Sequence, residues 1–255
     1  MALLHQLDTS VIGTMFSDTG KTTQITDGTV AAAWAAPNGS VTTDALQSTL
    51  ANRPTYRANY SSSGYPGLEF DGSNDQMSIA HSSGWNSTVV DVFIVLTSTS
   101  NGGAGYKGIY NKWLDGNWGT GWGAVYAIGI LNYGAPAYNN VESFAVINQR
   151  MLMHLHFESG KNGCEQGGSI YSGGRMGAGP TNTTSDVIIG GAPGATYPFA
   201  GAMHEIRVYT GGETDQTVQT VKNTLRAKWG LAAVATGGGG ISNLINGGLV
   251  RGQVL

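Results

Sequence analysis

Apolar and polar residues alternate with a period of two in short runs along most of this chain, and Gly, Asn and Ser clusters separate the runs. That period belongs to strands with two different faces. Strands are predicted over 68–70, 76–79, 89–97, 123–131, 143–147, 151–158, 169–171, 187–189 and 202–209. The run VVDVFIVL from Val89 to Leu96 is almost continuously apolar, with Asp91 near its start. It suits a central strand covered on both sides. In 202–209, Met203, Glu205, Arg207 and Tyr209 are expected on one face and His204, Ile206 and Val208 on the other. The early segment 44–50 has weak helical spacing, but Arg53-Pro54 closes it, so a loop or a single turn is expected.

After Gly211-Gly212 the period changes. Val218, Val221, Leu225 and Trp229 recur at spacings of three and four, which predicts one helix with a single inward stripe. Thr214 is a good N-cap, Asp215 suits the helix dipole, and Lys222, Arg226 and Lys228 fill the C-terminal half. Gly230 stands where a left-handed closing residue is wanted. One stripe makes this helix a lid on a sheet. Beyond Val234 the pattern stops at Gly237 to Gly240, a flexible joint. The last fifteen residues are again apolar at Ile241, Leu244, Ile245, Leu249, Val250, Val254 and Leu255, yet too short and glycine-broken for a core of their own. They are expected to dock on the parent domain as an added edge strand, or on a neighbouring chain by strand addition or groove filling. The glycine joint favours the neighbour, since self-packing does not need it. The expected organisation is a domain over 1–235, a joint over 236–240 and a docking peptide over 241–255.

Forty glycines in 255 residues suit many short strands joined by tight turns. Only 11% of residues are charged and the formal net charge is -3, so neither nucleic acid nor an anionic membrane is an expected partner. Cys164 is the single cysteine, so no internal disulfide forms. The first fifteen residues lack the pattern of a secretion signal and no run reaches the length of a membrane span. Synthesis in a cytoplasm is expected.

The blocks YPGLEFDGSNDQM (65–77), Gly190-Gly191, FAGAMHEIRVY (199–209) and AKWGL (227–231) resemble the laminin-G-like, concanavalin A-like jelly roll. The opening segments MFSDTGKTTQITDGTVAAAW and ANRPTYRAN are similar to bacterial and phage members of that group. The resemblance covers roughly residues 1 to 231 and implies an all-β concanavalin A-like jelly-roll sandwich of two antiparallel sheets with one short C-terminal helix. That fold hosts lectins, hydrolases and structural modules alike. Short Asn-Gly-Gly-Leu ends similar to this one occur on phage virion proteins of the group. The resemblance therefore implies a virion location after synthesis in a host bacterium.

Catalytic motifs are missing. Gly20-Lys21-Thr22 lacks the leading glycine of a phosphate loop, because position 15 is Met15. A hydrolase of this sandwich would show a Glu-x-Asp-x-x-Glu strand, and neither Glu69 with Asp71 nor Glu205 with Arg207 supplies it. The chain is accordingly expected not to be an enzyme. His154 and His156 share a strand face at ligand spacing without an acidic neighbour in sequence, and packed histidines are the simpler reading. Asp71, Asn74 and Asp75 form an oxygen-rich turn that suits calcium or merely a turn; no other cofactor is expected.

Between Tyr106 and Tyr138 aromatics interleave with amides and carboxylates. Tyr110, Trp113, Trp118 and Trp122, with Asp115 and Asn117, are candidates for carbohydrate, against a role in core or interface. Two functions are carried forward. The first is a non-enzymatic capsid decoration protein, anchored by its C-terminal peptide to other capsid or tail subunits and symmetric in assembly, for instance as a trimer. The alternative is a carbohydrate-binding adhesin contacting host-surface glycans.

Overall fold

The structure is a computed structural model that describes residues 1–62, 64–100, 107–114, 117–127, 130–134, 138–141, 147–158, 163–166, 169–172, 183–192, 197–211 and 215–232. The first hundred residues form β1 (Ala2–Asp8), β2 (Met15–Phe16), β3 (Ala33–Trp34), β4 (Ala45–Leu46), β5 (Thr55–Arg57), β6 (Gly67–Asp71), β7 (Met77–Ile79) and β8 (Val89–Ser98). Then come β9 (Lys107–Leu114), β10 (Asn117–Ala127), β11 (Ile130–Gly134), β12 (Tyr138–Val141), β13 (Arg150–Glu158), β14 (Gly163–Gln166), β15 (Ser169–Ser172), β16 (Val187–Ile189) and β17 (Ala200–Thr210). One helix, α1 (Asp215–Lys228), follows. Sheet A runs β15-β14-β13-β8-β17-β6-β5, with β1 also paired to β17; sheet B runs β12-β11-β10-β9-β16-β7-β4-β3-β2. The strands pair antiparallel throughout both sheets. This is the all-β, two-sheet sandwich with one helix that the sequence predicts.

Apolar positions at every second residue build the core between the sheets. Val90, Val92, Ile94 and Leu96 of β8 meet Met77, Ile79, Val187 and Ile189 of sheet B in one buried cluster. The intervening positions Phe93 and Val95 enter a second cluster with Leu152, Val218, Leu225 and Trp229, beneath α1. Strand β8 is thus covered on both faces, as its continuous apolar run requires. The stripe of α1 is buried at Val218, Leu225 and Trp229, and Gly230 closes the helix with φ +60°. A Cβ at Gly230 would lie 2.3 Å from Tyr65 Oη, so glycine is demanded there twice over. Thr214, the expected N-cap, lies outside the described residues.

Three expectations change. The predicted strand 123–131 is two arms of a reversal, since Ala127 of β10 pairs with Ile130 of β11. Segment 44–50 contributes a two-residue strand, β4, and a 3-10 turn at Leu50–Asn52. On β17, Met203 pairs with Leu96 but Glu205 pairs with Val95, so His204 is an extra residue in a bulge. The bulge sends Met203 into the sandwich core with Ile206 and Val208, and turns His204 and Glu205 together toward α1. Of the predicted strand 143–147, only Ile147 lies within the described residues.

The helix is fastened through a polar layer. Glu205, fully buried, accepts hydrogen bonds from Lys228 Nζ (2.6 Å), Trp229 Nε1 (2.7 Å), Arg207 Nε (2.6 Å) and Gln6 Nε2 (2.9 Å). Lys228 also binds Asp8. Arg150 donates from Nε to the Trp229 carbonyl at 2.9 Å and lies 3.8 Å above the Tyr65 ring. At the other end, buried Asp91 Oδ1 accepts from His154 Nε2 (2.7 Å) and His156 Nδ1 (2.9 Å). A carboxylate only accepts, so both imidazole nitrogens carry the proton. Burial pulls Asp91 upward, but these two donors outweigh it and hold the carboxyl down at about 2. His154, stacked on Phe93 with centroids 4.2 Å apart, is pushed down by burial.

Two predictions follow from this layer. Glu205→Ala leaves Lys228, Arg207 and Trp229 Nε1 without their buried acceptor and should cost about 3 to 5 kcal/mol in urea unfolding at neutral pH; a loss below about 1 kcal/mol would mean the carboxylate does not fasten the helix. The second concerns acid. Burial pushes His5 and His204 down to about 4 and lowers His154, all from 6.5, so their stabilising effect is present above 6.5 and is lost as pH falls toward 4. Burial raises Asp75 from 3.8 to about 6, which acts in the opposite sense over the same window. With His5, His204 and His154 taking up protons on unfolding and Asp75 releasing one, stability should fall as the pH drops from 6 to 4. His5→Gln and His204→Gln should each flatten that slope in unfolding titrations at several pH values; an unchanged slope in both would show that these histidines are not the source.

Candidate functional site

Sheet A has its outer face under α1, whereas no helix among the described residues covers the outer face of sheet B. A row of directly paired residues crosses that second face: Phe16, Ala33, Leu46, Ser78, Ile188 and Asn111. Their strand neighbours Met15, Trp34, Ala45, Met77, Val187 and Tyr110 all belong to the core, so pleating turns the row outward. Leu46 is 40% exposed, Phe16, Ser78 and Ile188 are half-buried, and Ala33 and Asn111 are buried. Exposed Asp186 flanks the row. Its Oδ2 accepts from Ser78 Oγ at 3.0 Å and its Oδ1 from the His81 N–H at 2.9 Å. Asn111 donates from Nδ2 to the Gly191 carbonyl at 2.6 Å, and its Oδ1 has no partner among the described residues.

The backbone register continues the row from Asn111 to Gly123, then to Gly134 of β11 and Tyr138 of β12. One step along the strands, Trp113 stands opposite Gly121. Glycine inside a strand marks a bulge, a bend or the close approach of a ligand or another backbone. A bulge at Ile109, skipped between the pairs Ala124↔Tyr110 and Val125↔Gly108, accompanies the burial of both Ile109 and Tyr110 in the core.

The candidate sugar residues are thereby partly united and partly separated. Tyr110, Trp113, Asn117, Trp118 and Trp122 lie on the adjacent strands β9 and β10. Tyr110 is fully buried among core side chains and burial raises its hydroxyl well above the ordinary value, so it is a core residue and not a ligand contact. Trp122 takes the register position opposite Lys112, one step off the row. Lys112 is buried and donates from Nζ to the Thr183 carbonyl (2.7 Å) and hydroxyl (2.9 Å); burial pushes its amine down to about 8. Asn117 pairs with Leu114, and Trp118 lies in the irregular stretch before Gly121. Asp115, the joint 236–240 and the docking residues Ile241, Leu244, Ile245, Leu249, Val250, Val254 and Leu255 lie outside the described residues.

Sequence reasoning missed the row itself. Each strand contributes one residue to it, separated from the next by tens of positions, so nothing periodic marks it. Asp186 also passed unnoticed, as did Asp91 as partner of His154 and His156. Among the described residues, no group of three or more His, Cys, Asp or Glu side chains is arranged to hold a metal. In the oxygen-rich turn, Asp71 Oδ1 accepts from the Ser73 (2.7 Å) and Asn74 (3.2 Å) N–H groups, and Asp75 Oδ2 from the Asp71 N–H (2.9 Å). Those oxygens close the turn.

No protein-family model matches this chain, and no curated protein matches it. Among solved structures, the chain is similar to the Trypanosoma rangeli sialidase in complex with sialic acid, with TM-score 0.58 and 14% identity over 86% of this chain and 32% of that one. The same sialidase with the inhibitor DANA gives TM-score 0.56, 15% identity and the same coverages. The Ruminococcus gnavus IT-sialidase CBM40 bound to alpha2,3 sialyllactose gives TM-score 0.47 and 13% identity over 61% of this chain and 95% of that one. The chain spans about a third of the sialidase's length. At such identity the likeness establishes the sandwich fold. It also corrects the expectation that the chain is not an enzyme. That expectation rested on missing motifs, and the fold is shared with part of a chain that is an enzyme. Nothing in these comparisons points to a virion.

Proposed function

We propose that this chain is a carbohydrate-binding sandwich module that takes glycans on the outer face of sheet B. The observation that carries the reading is the register that continues the outward row of Ile188 and Asn111 to Gly123, with exposed Asp186 bonded to Ser78 of the same row, on a sheet face that no helix among the described residues covers. Sugars present C–H faces to aromatic and aliphatic side chains and hydroxyl rims to carboxylates and amides. Ile188 and Leu46 offer apolar surface, Asp186 offers a carboxylate, and glycine backbone permits close approach. The fold likeness supports the reading by analogy, since the similar sialidase is described in complex with sialic acid.

A glycan array probed with the full chain tests this directly. Selective binding at millimolar or tighter affinity is expected, and Trp113→Ala and Ile188→Arg should each weaken it at least about tenfold, near 1.4 kcal/mol, with the unfolding transition retained. Binding to no glycan, or binding that both variants leave intact, would sink the assignment to this face.

A further inference from the structure

Resting on the glycan reading, we infer that the ligand is a neutral, linear glycan several sugar residues long, lying across the strands along the row from Asn111 toward Phe16. Direction and length come from the sheet. From Phe16 to Asn111 the row crosses five strand intervals, about 24 Å at about 4.8 Å each. The continuation to Tyr138 brings the whole nine-stranded face to about 38 Å. One strand interval is close to the rise of one sugar along an extended chain, so successive residues meet successive strands. Neighbouring strands rotate by about 20 to 25°, and a flexible linear chain follows that twist where a compact branched one does not.

Neutrality comes from charge. Phe16, Ala33, Leu46, Ser78, Ile188 and Asn111 carry none, and the charge hydrogen-bonded to the row is the Asp186 carboxylate. Cations near the apolar end are already engaged. Lys21 pairs with Asp44 at 2.6 Å, and Arg53 donates to the carbonyls of Ser17, Gln47 and Ser48 at 2.9 to 3.1 Å. Lys112 is turned to Thr183. An acidic sugar would meet the like charge of Asp186, the charge bonded to the row; a neutral one would donate hydroxyls to it.

Calorimetry on the full chain with neutral oligosaccharides of increasing length, and with a sialylated oligosaccharide, tests the inference. The expected Kd falls at least about tenfold between disaccharide and hexasaccharide, stays within about twofold on raising the salt, and is weaker for the sialylated ligand. Asp186→Asn should narrow the gap between neutral and sialylated ligands about fivefold, with an unfolding curve to confirm that the Ser78 and His81 contacts persist. Affinity that stops rising at the disaccharide, or a sialylated ligand that binds best with strong salt dependence, overturns this inference while the glycan reading stands. Failure of every sugar overturns both.

Discussion

The double covering of sheet A is the constraint on which the rest of the molecule depends. Strand β8 is apolar on both sides, so sheet A needs sheet B against one face and α1 against the other. Each fully covered large apolar side chain contributes roughly 1.5 to 3 kcal/mol, and β8 supplies six of them, from Val90 to Leu96. One helix covers one sheet. The outer face of sheet B is then left without such a helix among the described residues, and its row of Phe16, Leu46, Ser78 and Ile188 stays partly open.

The lid is held by charge as well as by grease. Lys222 and Arg226 are buried on α1 and Lys228 is bound to Glu205 and Asp8, so the helix turns its cations inward and leaves uncharged Gln, Thr and Asn toward water. Buried ion pairs gain little over a well-packed apolar contact but are costly to break. Their effect is to define how the helix sits: Trp229 must place its indole N–H on Glu205 and its carbonyl on Arg150 together. The bulge at His204 makes this possible by putting two consecutive residues of β17 on the helix side.

On the opposite face the same strand geometry yields a different surface. The register carries the row from Ile188 and Asn111 to glycines of β10 and β11, with Asp186 hydrogen-bonded to Ser78 beside it. Low overall charge, visible in composition, reappears there in an uncharged row from Phe16 to Asn111 with the Asp186 carboxylate bonded to it.

The sequence by itself determined the elements. Period two in 151–158 and 187–189, the continuous run of β8, and the Val218–Leu225–Trp229 stripe with Gly230 after it all act through neighbours within a few residues, so they can be read in order. Tertiary structure decided which elements pair and which faces meet. The 123–131 run reads as one strand because its alternation does not register the reversal after Ala127. Met203 reads as a partner of Glu205 because a bulge costs one residue and leaves no mark in hydrophobicity. Tyr110 reads as a sugar contact from its composition, yet the bulge beside it makes it core. The row of sheet B joins positions 16 and 188 through pairings that only the closed sandwich creates, because hydrogen bonds between strands carry no trace in the order of residues along the chain.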